Sequence, residues 1–169
     1  MNALLKASTV AANGRSRAPV RKTILVVDDR SDDIELVRIM FKRCRILNPL
    51  QTAHTVKDAI GYLEGDGMYA DRRAFPFPTL VLLDLHLPDG SGFDVLRWFQ
   101  SHPLQSPVGV VVLTGSDIGE IKQSYDLGAH SFLVKPLKFF DLENMAHHVR
   151  GMNLTHSSKG DLLDVAPTP

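Results

Sequence analysis

The sequence is poor in cysteine, in net charge and in long hydrophobic runs, and each shortage excludes a class of protein. One cysteine in 169 residues rules out a disulfide framework and any cysteine-rich zinc or iron–sulfur module. No apolar run approaches the ~20 residues of a membrane-spanning helix, so no membrane span is expected. The 19 basic and 19 acidic residues cancel, which argues against a bulk nucleic-acid binder.

The zero net charge hides an uneven distribution along the chain. Residues 1–27 contain five basic residues and no acidic one, so the remainder is acidic. Residues 1–22 are rich in Ala, Ser, Arg and Asn, and we predict that they form a disordered basic arm. A solubilising tail, an electrostatic tether and an organellar transit peptide are the alternative roles for this arm.

Short apolar runs alternate with helical patterns over residues 23–150, which are predicted to form one domain. The runs are Ile24–Val27, Gln51–Thr55, Thr79–Leu83, Val108–Leu113 and Ser131–Val134. Runs that are continuously apolar indicate parallel strands covered on both faces. The expected fold class is therefore α/β, a doubly wound five-stranded parallel sheet sandwiched by five helices.

The last predicted helix is followed by a second predicted tail. Leu142, Met145, Val149 and Met152 are spaced 3, 4 and 3 residues apart, as on one face of a helix. Residues 151–169 contain few apolar residues and are expected to form a C-terminal tail.

Chemically active side chains follow four of the predicted strands, at the edge where such sheets bind ligands. They are Asp28 and Asp29 after the first strand, Asp84 after the third, Thr114 after the fourth and Lys135 after the fifth. Three carboxylates ~4 Å apart would repel by about 4 kcal/mol per pair at an effective dielectric of about 20. A hard divalent cation removes that cost, so the pattern predicts a Mg²⁺ site.

The same edge has the composition of a receptor for a dianionic phosphoryl group. Thr114 could donate a hydrogen bond to it, Lys135 would neutralise its oxygens, and Gly115 leaves room for their approach. Asp84 would then be the nucleophile and would form an aspartyl-phosphate.

These residues make the chain resemble the receiver domains of two-component response regulators, over about residues 22–150. The motifs are the acid pair Asp28-Asp29, LVLLD ending at Asp84, the following LPDGSG, Thr114-Gly115 and Lys135-Pro136. The resemblance implies the flavodoxin-like receiver fold and a cytoplasmic location. It also implies a phosphoacceptor switch that promotes its own phosphorylation and dephosphorylation, rather than an enzyme with an external substrate.

The resemblance implies a role for each residue of the metal and phosphoryl site. Asp84 accepts a phosphoryl group from a sensor histidine kinase. Mg²⁺ is bound by Asp29, by Asp84 and by the backbone carbonyl of His86, while Asp28 acts through water. Thr114, Gly115 and Lys135 contact the phosphoryl group.

The resemblance further implies a switch beside this site. Phe132 is the aromatic switch residue, and Pro136 follows a cis peptide bond. Movement of Thr114 toward the phosphoryl group would let Phe132 turn inward. This would remodel the face made by the fourth helix, the fifth strand and the fifth helix.

The segments around the domain suggest which partners it has. The long connection Gly65–Pro78 and the following LLDLHLP resemble stand-alone regulators associated with bacterial phytochrome kinases, although a tolerated surface loop is equally physical. Too few residues follow the last predicted helix for a DNA-binding module. We therefore expect a single-domain regulator whose partners are a sensor histidine kinase, such as a bacteriophytochrome, or a phosphotransfer protein, and a second copy in a homodimer.

Three other functions compete with this interpretation. A phosphorelay intermediate or phosphate sink would use the same site. A phosphatase with an aspartyl-phosphate intermediate needs an acid two residues after the nucleophile, where this chain has His86. A flavodoxin-like redox protein would need a phosphate cradle where Asp28 and Asp29 stand, and these would repel the phosphate of the flavin.

Overall fold

The computed structural model describes residues 22–102, 108–115, 117–138, 140–141, 144–145, 152–155 and 158–165. The predicted basic arm therefore lies outside the described residues, except for Lys22. No helix in this part of the chain combines the length and the apolar character needed to cross a bilayer. The cytoplasmic location stays a prediction.

A five-stranded parallel sheet forms the centre of the fold. Its strands are β1 (Thr23–Val27), β2 (Leu50–Ala53), β3 (Pro78–Asp84), β6 (Gly109–Thr114) and β7 (Ser131–Val134), and the short strands β4 (His86–Leu87) and β5 (Gly90–Ser91) form a separate antiparallel pair. The strand order is β2-β1-β3-β6-β7, with all neighbours parallel. This order confirms the predicted doubly wound sheet.

Helices follow the strands and cover both faces of the sheet. They are α1 (Ser31–Arg43), α2 (Val56–Glu64), α3 (Gly92–Ser101) and α4 (Ile118–Asp126), with a 3₁₀ turn at Gly67–Tyr69. Residues 140–141 and 144–145 are also helical, in the region of the fifth predicted helix.

Alternate residues of the central strands pack into two separate hydrophobic cores, one on each face of the sheet. Every residue of β1, β3 and β6 is buried. Ile24 and Leu82 belong to the core that contains α1, whereas Leu25 and Leu83 belong to the core that contains α2 and α3. Burial on both faces is the reason that these strands are apolar throughout.

The connection Gly65–Pro78 is an ordered loop. The Arg72 guanidinium donates to the carbonyl oxygens of Tyr62 and Leu63 at 2.6 and 2.7 Å, so it caps the end of α2. The rings of Tyr62, Tyr69 and Phe75 pack against one another. These contacts explain how a connection of this length stays attached to the domain.

The segment expected to be a C-terminal tail instead contains two strands, β8 (Met152–Thr155) and β9 (Leu162–Val165), paired antiparallel. Leu163 is 1% exposed and belongs to the core that contains α1. The Asn48 side chain donates to the Leu163 carbonyl at 2.9 Å and accepts from the Leu163 amide at 2.8 Å. Packed structure therefore extends past residue 150.

The predicted helical position of Met152 is wrong, because this residue begins β8. A 3-4-3 spacing over four residues reports only local periodicity. The ribbon is attached to the domain by contacts between distant parts of the sequence, among them the one between Asn48 and Leu163, which are 115 residues apart.

This packing makes the stability of the domain depend on the ribbon. We expect Leu163→Ala to lower the free energy of unfolding by about 2–4 kcal/mol, because it empties a buried leucine site. Leu162→Ala, at the half-buried neighbouring position, is the matched control and should cost less than about 1 kcal/mol. Urea unfolding measures both, and equal small effects would indicate that the ribbon does not stabilise the core.

Candidate functional site

The predicted site residues meet at one edge of the sheet. The strand order reverses between β1 and β3, and ligands bind at such a reversal, beyond the carboxyl ends of the strands. Asp28 follows β1 and is 0% exposed, Asp84 ends β3 at 5%, and Thr114 ends β6 at 0%. Lys135 follows β7 directly.

The Lys135 ammonium lies between three carboxylates. Its Nζ is 2.6 Å from Oδ2 of Asp28, 2.5 Å from Oδ2 of Asp84 and 3.0 Å from Oδ2 of Asp33. An ammonium has three donors, so this set can use all of them. Burial lowers the pKa of Lys135, but the hydrogen bonds from the three carboxylates outweigh it and raise the pKa above its ordinary value.

Burial makes the ionised form of the Asp28 carboxylate unfavourable. Burial raises its pKa, and this effect exceeds the opposing hydrogen bonds from Lys135 and from the Arg30 amide, which lies 2.9 Å from Oδ1. A buried carboxylate is costly without a cation nearby. The strand end thus favours binding of positive charge.

Asp33 is a site residue that the sequence analysis missed. It lies in the first turn of α1. Acidic residues are common in first turns because the helix dipole stabilises negative charge near the N-terminus. The signal that could have identified it is its position five residues after Asp28, in the helix that leaves the same strand end.

Asp28, Asp29 and Asp84 can present a common set of metal ligands. One carboxylate oxygen from each lies within 4.8 Å of the others, and Asp29 is exposed while the other two are buried. Oxygen donors that include carboxylates fit Mg²⁺, and the exposed side of the cluster leaves access for water and for a partner. The residues present therefore fit the predicted ion.

The peptide after Asp84 turns back onto its side chain. The His86 amide donates to Oδ1 of Asp84 at 3.0 Å, so the His86 backbone lies beside the carboxylate. The role of its carbonyl as a metal ligand stays a prediction.

Thr114 has a partner that the sequence analysis did not identify. Its Oγ1 donates to Oε2 of Glu120 at 2.7 Å, and Oε1 of Glu120 lies 3.1 Å from Nε2 of His86. Glu120 is in the first turn of α4, three residues after the N-cap Asp117. A carboxylate in the first turn of the helix after Thr114 was the available signal.

The remaining predicted residues flank this arrangement. Phe132 is half-buried and packs edge-on against Tyr125 of α4, with ring centroids 6.0 Å apart. The Lys135-Pro136 peptide bond is cis, as the resemblance implied. Apart from the two chain neighbours of Gly115, no described residue has an atom within 4 Å of the point where a Cβ on Gly115 would lie, which agrees with open space at that position.

Gly92, at the end of the LPDGSG motif, is the glycine that the site requires. A Cβ there would lie 2.3 Å from the Asp84 carbonyl oxygen and 3.0 Å from Cα of Leu85. The Gly92 amide donates to the Leu85 carbonyl at 3.0 Å. Helix α3 can therefore begin directly against the loop that carries Asp84 only because residue 92 has no side chain.

Comparison with known protein families and proteins agrees with this geometry. A family model for the response regulator receiver domain matches residues 24–147. Response regulator Rcp1 of Synechocystis sp. is 33% identical over 129 residues, which cover 76% of this chain and 86% of Rcp1. The matched range includes all four strand ends of the site.

Solved structures of response regulators are also similar to this chain. The bacteriophytochrome response regulator AtBRR has a TM-score of 0.68 at 32% identity, over 78% of this chain and 94% of that chain. The phosphorylated cyanobacterial phytochrome response regulator RcpA has 0.64 at 31%, over 74% and 88%. The Mn²⁺-bound form of Rcp1 has 0.63 at 34%, over 73% and 88%.

The contact between Gly92 and Asp84 predicts unequal tolerance of two glycines. We expect Gly92→Ala to lower the free energy of unfolding by about 1–3 kcal/mol, because the new methyl group overlaps backbone that must shift. Gly115→Ala is the control, and its effect should stay within about 0.5 kcal/mol because the added Cβ enters open space. Thermal and urea unfolding measure the difference, and equal tolerance would contradict the close approach.

Proposed function

The chain belongs to the response regulator receiver domain family, and on this premise we propose that it is a Mg²⁺-dependent phosphoaccepting switch. A sensor histidine kinase supplies the phosphoryl group, and Asp84 receives it. The observation that carries the proposal is the position of Asp84, a buried carboxylate within 2.5 Å of the Lys135 ammonium and beside two further acids.

The transfer exchanges one bond to phosphorus for another. The phosphorus–nitrogen bond of the phosphohistidine breaks, and a bond forms from phosphorus to a carboxylate oxygen of Asp84. Oδ1 of Asp84 accepts from the His86 amide and Oδ2 faces Lys135, so the side chain is held in one orientation. Lys135 offers its charge to the oxygens of the arriving group.

The charges of the site support a need for a cation. The single ammonium of Lys135 faces Asp28, Asp33 and Asp84, so the site as a whole is negative. A dianionic phosphoryl group would meet net repulsion there. Asp29, Asp84 and the His86 carbonyl would hold Mg²⁺, with Asp28 acting through water, and the bound ion would neutralise carboxylate and phosphoryl oxygens.

The relatives support a phytochrome-type kinase as the phosphoryl donor. AtBRR and RcpA are named as response regulators of bacteriophytochrome and cyanobacterial phytochrome systems. Because this chain covers 94% and 88% of those chains, we propose the same single-domain type of regulator. Its signal would pass through contacts with other proteins.

Four of the exposed apolar residues support a location for those contacts. They are Ile118 at 83%, Tyr125 at 47%, Val134 at 38% and Phe140 at 68% exposed, on α4, on β7 and in the helical region after it. The ring of Phe132 packs edge-on against Tyr125, one of these residues. A change at Phe132 would therefore alter the face, which we propose as the contact surface for a second copy of the chain.

The assignment of Asp84 predicts the outcome of phosphorylation. Acetyl phosphate with Mg²⁺, or a cognate kinase, should label the protein, and Asp84→Asn should abolish the label because the amide is no nucleophile. Chelation of Mg²⁺ should reduce labelling strongly. Acid-gel analysis with radiolabelled donor measures the incorporation.

Asp126→Asn is the matched control for this experiment, because it removes an exposed carboxylate on α4 away from the cluster. It should be labelled like the unchanged protein. Undiminished labelling of Asp84→Asn would contradict the assignment of Asp84 as the phosphoacceptor.

The exposed face predicts association that depends on phosphorylation. Sedimentation should detect more dimer in the presence of Mg²⁺ and beryllium fluoride, a phosphoryl mimic, than in their absence. Ile118→Ser should weaken the dimer about tenfold or more, because it removes a large apolar side chain from the proposed contact. Ile39→Ser, at a 47% exposed position on α1, should leave it unchanged, and monomer under all conditions would rule the dimer out.

A further inference from the structure

Glu120 connects three parts of the site, and we propose that it is a positioning residue that holds the Thr114 hydroxyl until a phosphoryl group competes for it. This inference rests on the proposed function, since Thr114 is the group that would contact the phosphoryl oxygens. It assigns a specific restraint to a residue outside the predicted set of site residues. The name latch is used below for the pair of contacts from Glu120 to Thr114 and to His86.

The latch uses both oxygens of one carboxylate. Oε2 accepts from Oγ1 of Thr114 at 2.7 Å, and Oε1 lies 3.1 Å from Nε2 of His86. Thr114 ends β6, His86 follows β3, and Glu120 belongs to α4. A single side chain thus joins two strand ends to the helix that covers them.

The backbone of Glu120 is fixed on both sides. Its amide donates to Oδ1 of the N-cap Asp117 at 2.9 Å, and its carbonyl accepts from Oγ of Ser124 at 2.7 Å. Ser124 is 1% exposed. The carboxylate is therefore presented from an anchored helical turn, and a change in its contacts requires either rotation of the side chain or movement of that turn.

Thr114 cannot serve Glu120 and a phosphoryl group at once. A threonine hydroxyl has one hydrogen to donate, and an ionised carboxylate can only accept. Phosphoryl oxygens are acceptors as well, so the two compete for the same proton. Negative charge on both competitors also disfavours their close approach.

The exposure of the partners determines which contact is the restraint. Thr114 is 0% exposed, so its hydroxyl has little access to water and needs a partner within the protein. The His86 side chain is 72% exposed and the Glu120 side chain 23%, so the His86 contact is exchanged easily with solvent. The Thr114 contact is therefore the part of the latch that phosphorylation must break.

Glu120→Ala tests the latch in two independent measurements. In the absence of any phosphoryl mimic, three-bond couplings of the Thr114 methyl group should report one side-chain rotamer in the unchanged protein and averaging in the variant. In the presence of Mg²⁺, beryllium fluoride should bind the variant about tenfold more tightly than it binds the unchanged protein. In the unchanged protein, binding must break the charge-assisted hydrogen bond from Thr114 to Glu120, whereas the variant has no such bond to break.

Asp126→Ala is the matched control, since it removes the same charge from an exposed position at the end of the same helix. It should retain the Thr114 rotamer and the affinity of the unchanged protein. Glu120→Gln, which keeps the shape but forms a weaker neutral bond, should fall between the two. This graded order separates the latch from a general loss of structure.

The outcomes distinguish the latch from the proposed function. An averaged Thr114 rotamer in the unchanged protein, or unaltered couplings in Glu120→Ala, would overturn the latch whether or not the mimic binds. Equal affinity of Glu120→Ala and the unchanged protein for beryllium fluoride would overturn it as well. No response of the unchanged protein to the mimic would instead overturn the proposed function, and the couplings would still decide whether Glu120 holds Thr114.

Discussion

The contact between the Lys135 ammonium and three buried or half-buried carboxylates holds the functional edge together. Lys135 leaves the end of β7, and its partners come from the ends of β1 and β3 and from the first turn of α1. Without the ammonium, Asp28 and Asp84 would be two acids in a buried setting, a costly arrangement. The remaining acidity of the cluster is what a divalent cation can balance, so the same charge distribution that needs Lys135 also fits the proposed metal.

The loop after Asp84 is fixed from both of its ends, which gives the carboxylate a defined position. Gly92 brings α3 against the Asp84 carbonyl. On the other side, Asp89 accepts from the amides of Val56 and Lys57 at 2.7 and 3.0 Å and so anchors the loop to the start of α2. Burial opposes ionisation of Asp89, but these backbone hydrogen bonds outweigh it and hold its pKa below the ordinary value. The helix ends therefore act as supports for the acceptor loop.

The sequence predicted the parts of the site that strand periodicity controls and missed those that depend on helices and distant contacts. Asp28, Asp84, Thr114 and Lys135 were predictable because the carboxyl ends of parallel strands share one edge. Asp33 and Glu120 were not, because an acid in a first helical turn has a local explanation already. The β8–β9 ribbon was missed for a related reason, since the backbone of Leu163 bonds to Asn48, 115 residues away, and no local pattern encodes that contact.

The site thus combines a firmly held half with a half that can rearrange. On the β1–β3 side, Asp28 and Asp84 are buried and share the Lys135 ammonium. On the β6 side, Thr114 is buried, but its partner Glu120 also contacts the exposed His86. Helix α4, which carries Glu120, also carries Tyr125 against Phe132. A phosphoryl group that draws the Thr114 hydroxyl away from Glu120 would therefore act on the helix that contributes to the exposed apolar face, while Asp84, the proposed acceptor, stays in place.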